Sequence, residues 1–135
     1  MAFLTWTKAF SVGIGKMDEQ HQILFGKIND LHDAMMHGKG QEATGTILAG
    51  VAQYTVSHFA AEEALMELHH YPDLPAHREE HKKLIAQVTD LQAKFKAGTA
   101  SLSMEVMTFL QNWLNHHING SDKKYGVYLN GKGVS

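Results

Sequence analysis

HFAAEEALMELHHYPDLPAHREEH, residues 58 to 81, decides the fold. It holds His58 and Glu62 four residues apart, then a turn signal at Tyr71-Pro72-Asp73-Leu74-Pro75, then His77 and His81 four residues apart. Four residues along an α-helix advance about 400° and ~6 Å, so each pair occupies one face, one turn apart. Two such helices facing each other aim four metal-binding groups at one point. Imidazole suits zinc, copper, iron and nickel, and a carboxylate beside it moves the preference towards harder ions such as iron or manganese. The stretch predicts a metal site between antiparallel helices.

Working outward, apolar residues recur at three- and four-residue steps on either side. His21, Leu24, Phe25, Ile28, Leu31, His32 and Met35 form a core-facing stripe between a candidate N-cap at Asp18 and a stop at Gly38. Ile47, Leu48, Val51, Thr55, His58, Glu62, Leu65, Met66 and His69 form a second stripe, which ends before Pro72. Asp73 can cap a third helix with Pro75 in its first turn; its stripe is His77, His81, Leu84, Val88, Leu91 and Phe95, closed by Gly98. After a loop to Ser101 a fourth carries Leu102, Val106, Phe109, Leu110, Trp113, Leu114 and His116 or His117, with Asn119, Gly120 and Ser121 ending it just before Asp122. The expectation is an all-α protein, an up-down-up-down four-helix bundle with an extended N-terminal arm anchored by Trp6. As one domain over 1–135 it divides into an arm at 1–17, helices at 18–37, 41–70, 74–97 and 102–120, and a loosely held Gly-rich tail at 123–135.

Composition narrows the function classes. A chain of 135 residues is one domain with room for a real core, and 44% hydrophobic against 19% charged residues is ordinary globular composition. The formal net charge is −2 with no block of Lys or Arg, so neither nucleic acid nor an anionic membrane is expected as partner. Absence of cysteine removes disulfides, thiolate metal sites and thiol catalysis together. Lys8 interrupts the short apolar run at the N-terminus, which does not read as a signal peptide, and no stretch approaches the ~20 apolar residues of a membrane span. A cytoplasmic protein is expected.

Ten histidines in 135 residues is the unusual count. In antiparallel order the start of helix one, the end of two, the start of three and the end of four share one end of the bundle. His21, His58 with Glu62, His77 with His81, and a histidine at 116 or 117 occupy those places. Any one of them alone is more often a core or surface residue than a ligand; together with a stripe glutamate, which needs a partner if buried, they favour a metal site. Periodicity does not separate His116 from His117. His37, His69 and His70 lie in last turns, where they suit the helix dipole, and His32 reads as a packed core histidine. Met35, Met66 and Met107 are better explained as core filling than as copper ligands.

The chain also resembles a known family. Trp6, Val12-Gly13-Ile14, Asp18 and His21, then His58-Phe59 with Glu62-Glu63 and Met66, Tyr71-Pro72, His77 and His81, and finally Trp113-Leu114, His117-Ile118 and Asp122 look like a bacterial hemerythrin. The resemblance runs from Trp6 to Tyr125. It implies a non-haem di-iron centre (Fe2+/Fe3+) with a bridging oxo or hydroxo group, selects His117 over His116, and adds Asp122 as a bridging carboxylate. Asp122 lies about 140° off the face of His117 on a regular helix, so the helix must end or distort at Asn119 to Ser121. Carried over, one iron takes His77, His81 and His117, the other His21 and His58, and Glu62 and Asp122 bridge. The first iron is then six-coordinate; the second is five-coordinate with one open position, where O2 would bind as hydroperoxide. Phe59, Trp113, Leu114 and Ile118 match positions lining the O2 pocket, and ordinary core packing accounts for them equally.

The resemblance implies an oxygen-binding protein, not an enzyme beyond weak di-iron redox activity, that transports, stores or delivers O2, with an oxygen-consuming enzyme as a recipient. The alternative is sensing or detoxification of O2, redox agents or nitric oxide through the same centre. Sensor versions carry a signalling domain, for which no room is expected here. A ferritin-like oxidase needs two Glu-x-x-His pairs, and only Glu67 to His70 fits. His77-Arg78-Glu79-Glu80-His81 spells the inverted zinc-peptidase motif, but Glu105 is the only later glutamate to serve as third ligand, and Glu80 reads as a solvated surface residue.

Overall fold

The computed structural model describes residues 3–98 and 104–135. It is an all-α up-down-up-down bundle. A short 3₁₀ turn, Lys8–Phe10, precedes α1 (Gly15–Met36), α2 (Gln41–Leu68), α3 (Leu74–Lys96) and α4 (Met104–His116). A π-helical turn, His117–Asp122, then joins α4 to α5 (Lys123–Gly131). The expected loop at 99–101 and the expected start at Leu102 lie outside the described residues.

The stripes become the core. Leu24, Phe25, Ile28 and Leu31 of α1 meet Leu48, Val51, Phe59 and Met66 of α2, Leu84 and Val88 of α3, and Met107, Leu110 and Leu114 of α4. Met66 and Met107 are fully buried gap-fillers. Met35, Ile47, Leu65, Leu91 and Phe95 lie at the margins of their stripes and are only partly buried. His32 stacks on Phe3 with ring centres 4.4 Å apart.

The helix ends follow backbone chemistry. Gly38, at φ +58°, ends α1 after His37, and the Lys39 N–H reaches back to the Ala34 carbonyl at 3.1 Å. At the end of α2, His70 itself adopts φ +58° and the Tyr71 N–H bonds the Met66 carbonyl at 2.9 Å. Its side is secured from α5, since the Tyr128 hydroxyl donates to the carbonyls of His69 and His70 at 2.8 and 3.1 Å.

Three expectations need correction. Asp18 does not cap α1, which begins at Gly15; its carboxylate instead accepts the Ser11 hydroxyl at 2.5 Å and the Val12 N–H at 2.8 Å, fastening the arm to the helix. Trp6 is not the deepest anchor of the arm: Leu4, Val12 and Ile14 are buried while Trp6 is half-buried, and Asn29 closes two hydrogen bonds with the Leu4 backbone at 2.7 and 2.8 Å. Residues 123–131 are not a loose tail. They form α5, whose Tyr125 and Leu129 are fully buried, because the arm and the bundle end together cover them.

The arm and α5 hold each other. Lys123 donates to the Ala9 carbonyl at 2.6 Å, and Asn130 to the Gly13 carbonyl at 3.0 Å. Gly126 makes the close approach possible, since a Cβ there would lie 1.9 Å from the Val12 carbonyl oxygen. Gly126→Ala must therefore push the α5 backbone away from an arm that its Lys123 and Asn130 side chains hold by hydrogen bonds, and should cost about 1–3 kcal/mol. A lowered denaturation midpoint with unchanged m-value checks this; an unchanged midpoint would show that α5 is not packed as described.

Candidate metal centre

Each stripe carries its polar residues to the same end of the bundle. His21 sits in the second turn of α1, His58 and Glu62 near the end of α2, His77 and His81 in the first turns of α3. His117 and Asp122 come from the π-helical turn. All seven are almost fully buried, with exposures of 0 to 3%. His116 is exposed, and so periodicity's ambiguity is settled in space: His117 turns inward and its neighbour outward.

The π-helical turn explains how Asp122 arrives. Five residues along a regular α-helix is about 500°, which would leave Asp122 far from the face of His117. A turn closed by i→i+5 hydrogen bonds takes in one more residue and brings Asp122 back beneath it. Asp122 Oδ1 lies 3.1 Å from His117 Nε2 and 3.1 Å from His77 Nε2, while Oδ2 lies 3.2 Å from His21 Nε2. Glu62 spans the same gap from α2: Oε1 is 3.3 Å from His81 Nε2 and 3.5 Å from His58 Nε2, and Oε2 is 3.5 Å from His21 Nε2. Both carboxylates thus reach both groups of imidazoles.

The donor atoms fit cations in two places. Glu62, His77, His81, His117 and Asp122 each offer one atom to a common point, and His21, His58 and Glu62 to a second. His81 Nε2 and His117 Nε2 face each other at 3.0 Å. Two imidazole nitrogens on one ion at about 2.1 Å and a right angle stand ~3.0 Å apart, so the spacing is that of shared ligands. The inward atoms are otherwise stranded: both ring nitrogens of His21, Nε2 of His77, Oε1 of Glu62 and both oxygens of Asp122 are buried without a hydrogen bond. Buried polar groups are rarely left so unless something else binds them.

The electrostatics of the protein alone point the same way. Burial disfavours a proton on His21, but Asp122 and Glu62 outweigh it and raise its pKa to about 10. Burial likewise opposes, and Asp122 restores, the proton on His117, whose pKa is raised. Burial lowers that of His58. For Glu62, burial and Asp122 push upward, yet His58, His21 and His81 carry it down to about 2. Asp122 is pushed up by burial and held well below the ordinary carboxylate range by His117, His21 and His77. Positive charge is demanded at the centre, and protons meet the demand only where no cation does.

Around the donors lies an aromatic and aliphatic shell. Phe59 stacks flat on His81 at 3.7 Å, and the half-buried Trp113 stacks on His117 at 4.3 Å. Leu114 and Ile118 are buried beside them. Several participants were given no role at the centre by the sequence. The Tyr125 hydroxyl donates to Glu62 Oε2 at 2.5 Å, and Gln20, Glu63 and Glu80 accept from the outer nitrogens of His58, His81 and His117. Glu80 is therefore not simply a solvated surface residue, because it also takes the Ser121 hydroxyl at 2.8 Å. It faces the outside of His117, so the inverted peptidase motif has no glutamate aimed at the donor cluster from that position. The available signal was adjacency: Gln20 and Glu63 neighbour ligand-bearing positions, and Tyr125 lies one turn beyond Asp122.

Known proteins are similar to this chain over most of its length. The Hemerythrin HHE cation binding domain model matches residues 12–129. A bacteriohemerythrin of Methylococcus capsulatus is 41% identical over 130 residues, covering 96% of this chain and 98% of that relative. One from Stenotrophomonas maltophilia is 38% identical over 125 residues, covering 93% and 80%. The crystal structure of a wild-type hemerythrin superposes with a TM-score of 0.89 at 40% identity, covering 93% of this chain and 96% of that one. With the family model spanning the bundle and relatives aligned over nearly its full length, the chain belongs to the hemerythrin family of cation-binding domains.

Proposed function

We propose that this protein binds O2 reversibly at a non-haem di-iron centre and serves oxygen transport, storage or delivery as a carrier, not as a catalyst. The observation that carries the reading is the sealed set of seven donors, among which His21, Glu62, His77 and Asp122 turn inward atoms that have no hydrogen-bond partner. His77, His81 and His117 would hold one iron, His21 and His58 the other, and Glu62 and Asp122 would bridge them. Three nitrogens against two leaves the second position poorer in donors, and hence the one open to a diatomic ligand. A ferrous pair held across the two positions would supply two adjacent one-electron reductants, which is the chemistry that O2 binding requires.

The chain's own residues make such a centre usable. Glu62 and Asp122 each present two oxygens across the gap and fix the spacing of the two positions. Tyr125 spends its only proton on Glu62 and so orients that carboxylate while offering none to a bound ligand. Phe59, Leu114 and Ile118 exclude water, with Trp113 closing the side over His117. Solvent access and polarity around a metal govern its redox behaviour, and a dry wall slows irreversible oxidation. The side chains of Phe59, Leu114 and Ile118 carry no acid or base of their own, in keeping with binding rather than turnover. No helix among the described residues is long and apolar enough to cross a membrane.

Iron analysis combined with the visible spectrum of the reduced protein, before air, after air and after oxygen removal, tests the reading. Two irons per chain and a charge-transfer band that vanishes on deoxygenation are expected. Irreversible oxidation would move the function to redox chemistry or sensing, and zinc in place of iron would overturn it. His77→Ala and Glu62→Ala should each abolish the two-iron stoichiometry; normal O2 binding by either variant would remove that residue from the ligand set.

Loading should also release protons. Because His21 in the metal-free protein keeps its proton up to about pH 10, an ion arriving at pH 7 must displace at least one, and affinity must fall as pH falls. Calorimetry in buffers of different ionisation enthalpy measures this, and heats independent of buffer would show that loading releases no net proton and that His21 is neutral in the metal-free protein. Leu114→Ala opens a cavity, costing about 2–5 kcal/mol, and should raise the autoxidation rate several-fold by admitting water. An unchanged rate, followed by decay of the oxygenated spectrum, would reduce Leu114 to packing alone.

A further inference from the structure

The outer nitrogens of the imidazoles are not treated alike. On the three-histidine side, His81 Nδ1 donates to Glu63 at 2.8 Å and His117 Nδ1 to Glu80 at 3.1 Å. Both acceptors are themselves held in place. Arg78 grips Glu63 at 3.2 Å and extends to Glu67 at 3.0 Å, while the Ser121 hydroxyl sits 2.8 Å from both oxygens of Glu80. On the two-histidine side, His58 Nδ1 meets the neutral amide oxygen of Gln20 at 2.6 Å, and His21 Nδ1 is buried with no partner.

We propose that Glu63 and Glu80 are positioning residues that make the two metal positions unequal, so that ions fill the His77, His81 and His117 position first and leave it last. The inference rests on the di-iron reading above. A carboxylate accepting an Nδ1–H fixes the tautomer with its Nε2 lone pair inward and enriches the ring in electrons, raising its basicity as a ligand. Hydrogen bonds to an anion are about twice as strong as those to a neutral amide, so Gln20 does this only weakly for His58, and nothing does it for His21. Both carboxylates remain partly in contact with solvent, at 24 and 44% exposure, so their charge needs no buried counter-ion. The chain thereby gives one position two anionic supports and the other none.

The test loads the full-length protein with two ferrous ions under argon and challenges it with graded amounts of a competing chelator, resolving two dissociation constants. The unmodified protein should show two well-separated constants. In Glu63→Gln/Glu80→Gln the tighter one should weaken by about 10–100-fold while the weaker one holds, closing the gap. Gln20→Glu makes the opposite change and should tighten the weaker constant, a gain that a merely structural role does not produce. In the diamagnetic zinc-loaded protein, the Nδ1–H resonances of His81 and His117 should move upfield in the double variant. Equal weakening of both constants, an unchanged tighter constant, or no gain with Gln20→Glu would each overturn the inference. A protein that never holds two ions would instead overturn the di-iron reading, which separates the two failures.

Discussion

Everything in this molecule answers to two carboxylates placed where no water reaches them. A buried carboxylate is costly unless paired, and here two sit within one cage whose walls are imidazoles. Five rings converge because their nitrogens, with the Tyr125 hydroxyl on Glu62, make that burial tolerable. The bundle supplies the convergence: alternating direction brings a start, an end, a start and an end to one place, so four helices each contribute donors at the same depth. The opposite end of the bundle carries aliphatic side chains on the same stripes, and it does the ordinary work of stability.

The N-terminal arm and α5 belong to the same arrangement. Tyr125 touches Glu62, α5 carries Tyr125, and the arm lies on α5 through Val12, Gly126, Ala9 and Lys123. Asp18 completes the circuit by tying the arm to α1, three residues before His21. A segment with no donor of its own thus helps to set the orientation of a carboxylate inside the cage. It is also why Gly13 and Gly126 are where they are: one takes the left-handed backbone at φ +79°, the other leaves room for a neighbouring carbonyl.

Much of this was legible in the sequence because the ligands obey the same period as the core. His58, Glu62, His77 and His81 stand on apolar stripes at four-residue steps, and their helices and faces follow from that alone. His117 needed the resemblance to a known family, since two adjacent histidines both fell near the stripe. Asp122 needed it more, because no regular helix puts it on the right face. What stayed hidden has a common cause. Glu63, Glu80 and Gln20 lie on the flanks of their helices, where charged and amide side chains are the commonest of all residues, and no periodicity marks the ones that reach a ring nitrogen. Asn119, Gly120, Gly126 and Gly131 read as helix breakers, so α5 looked like a tail. Tertiary cover from the arm outweighed their poor propensity.

The π-helical turn has a consequence for how such a helix is written. On α4 the inward residues are Met107, Leu110 and Leu114, continued by His117; on α5 they are Tyr125 and Leu129, and Ile118 and Asp122 lead into that second series at steps of four and three residues. The two series differ by a single position. The helix therefore behaves as one continuous rod with one supernumerary residue, and that residue changes the phase of everything after it by about 100°. Adjacent letters of the chain, His117 and Ile118, become the last word of one frame and the first of the next. Removing one residue between 119 and 121 would restore a regular helix with Asp122 four residues after His117, so that Asp122 and Tyr125 keep their side of the rod and only the bulge is lost. The bulge thus lets a five-residue spacing do what the four-residue spacing of His58 and Glu62 does on regular α2, presenting an imidazole and a carboxylate to the same point, with a phenol one turn beyond.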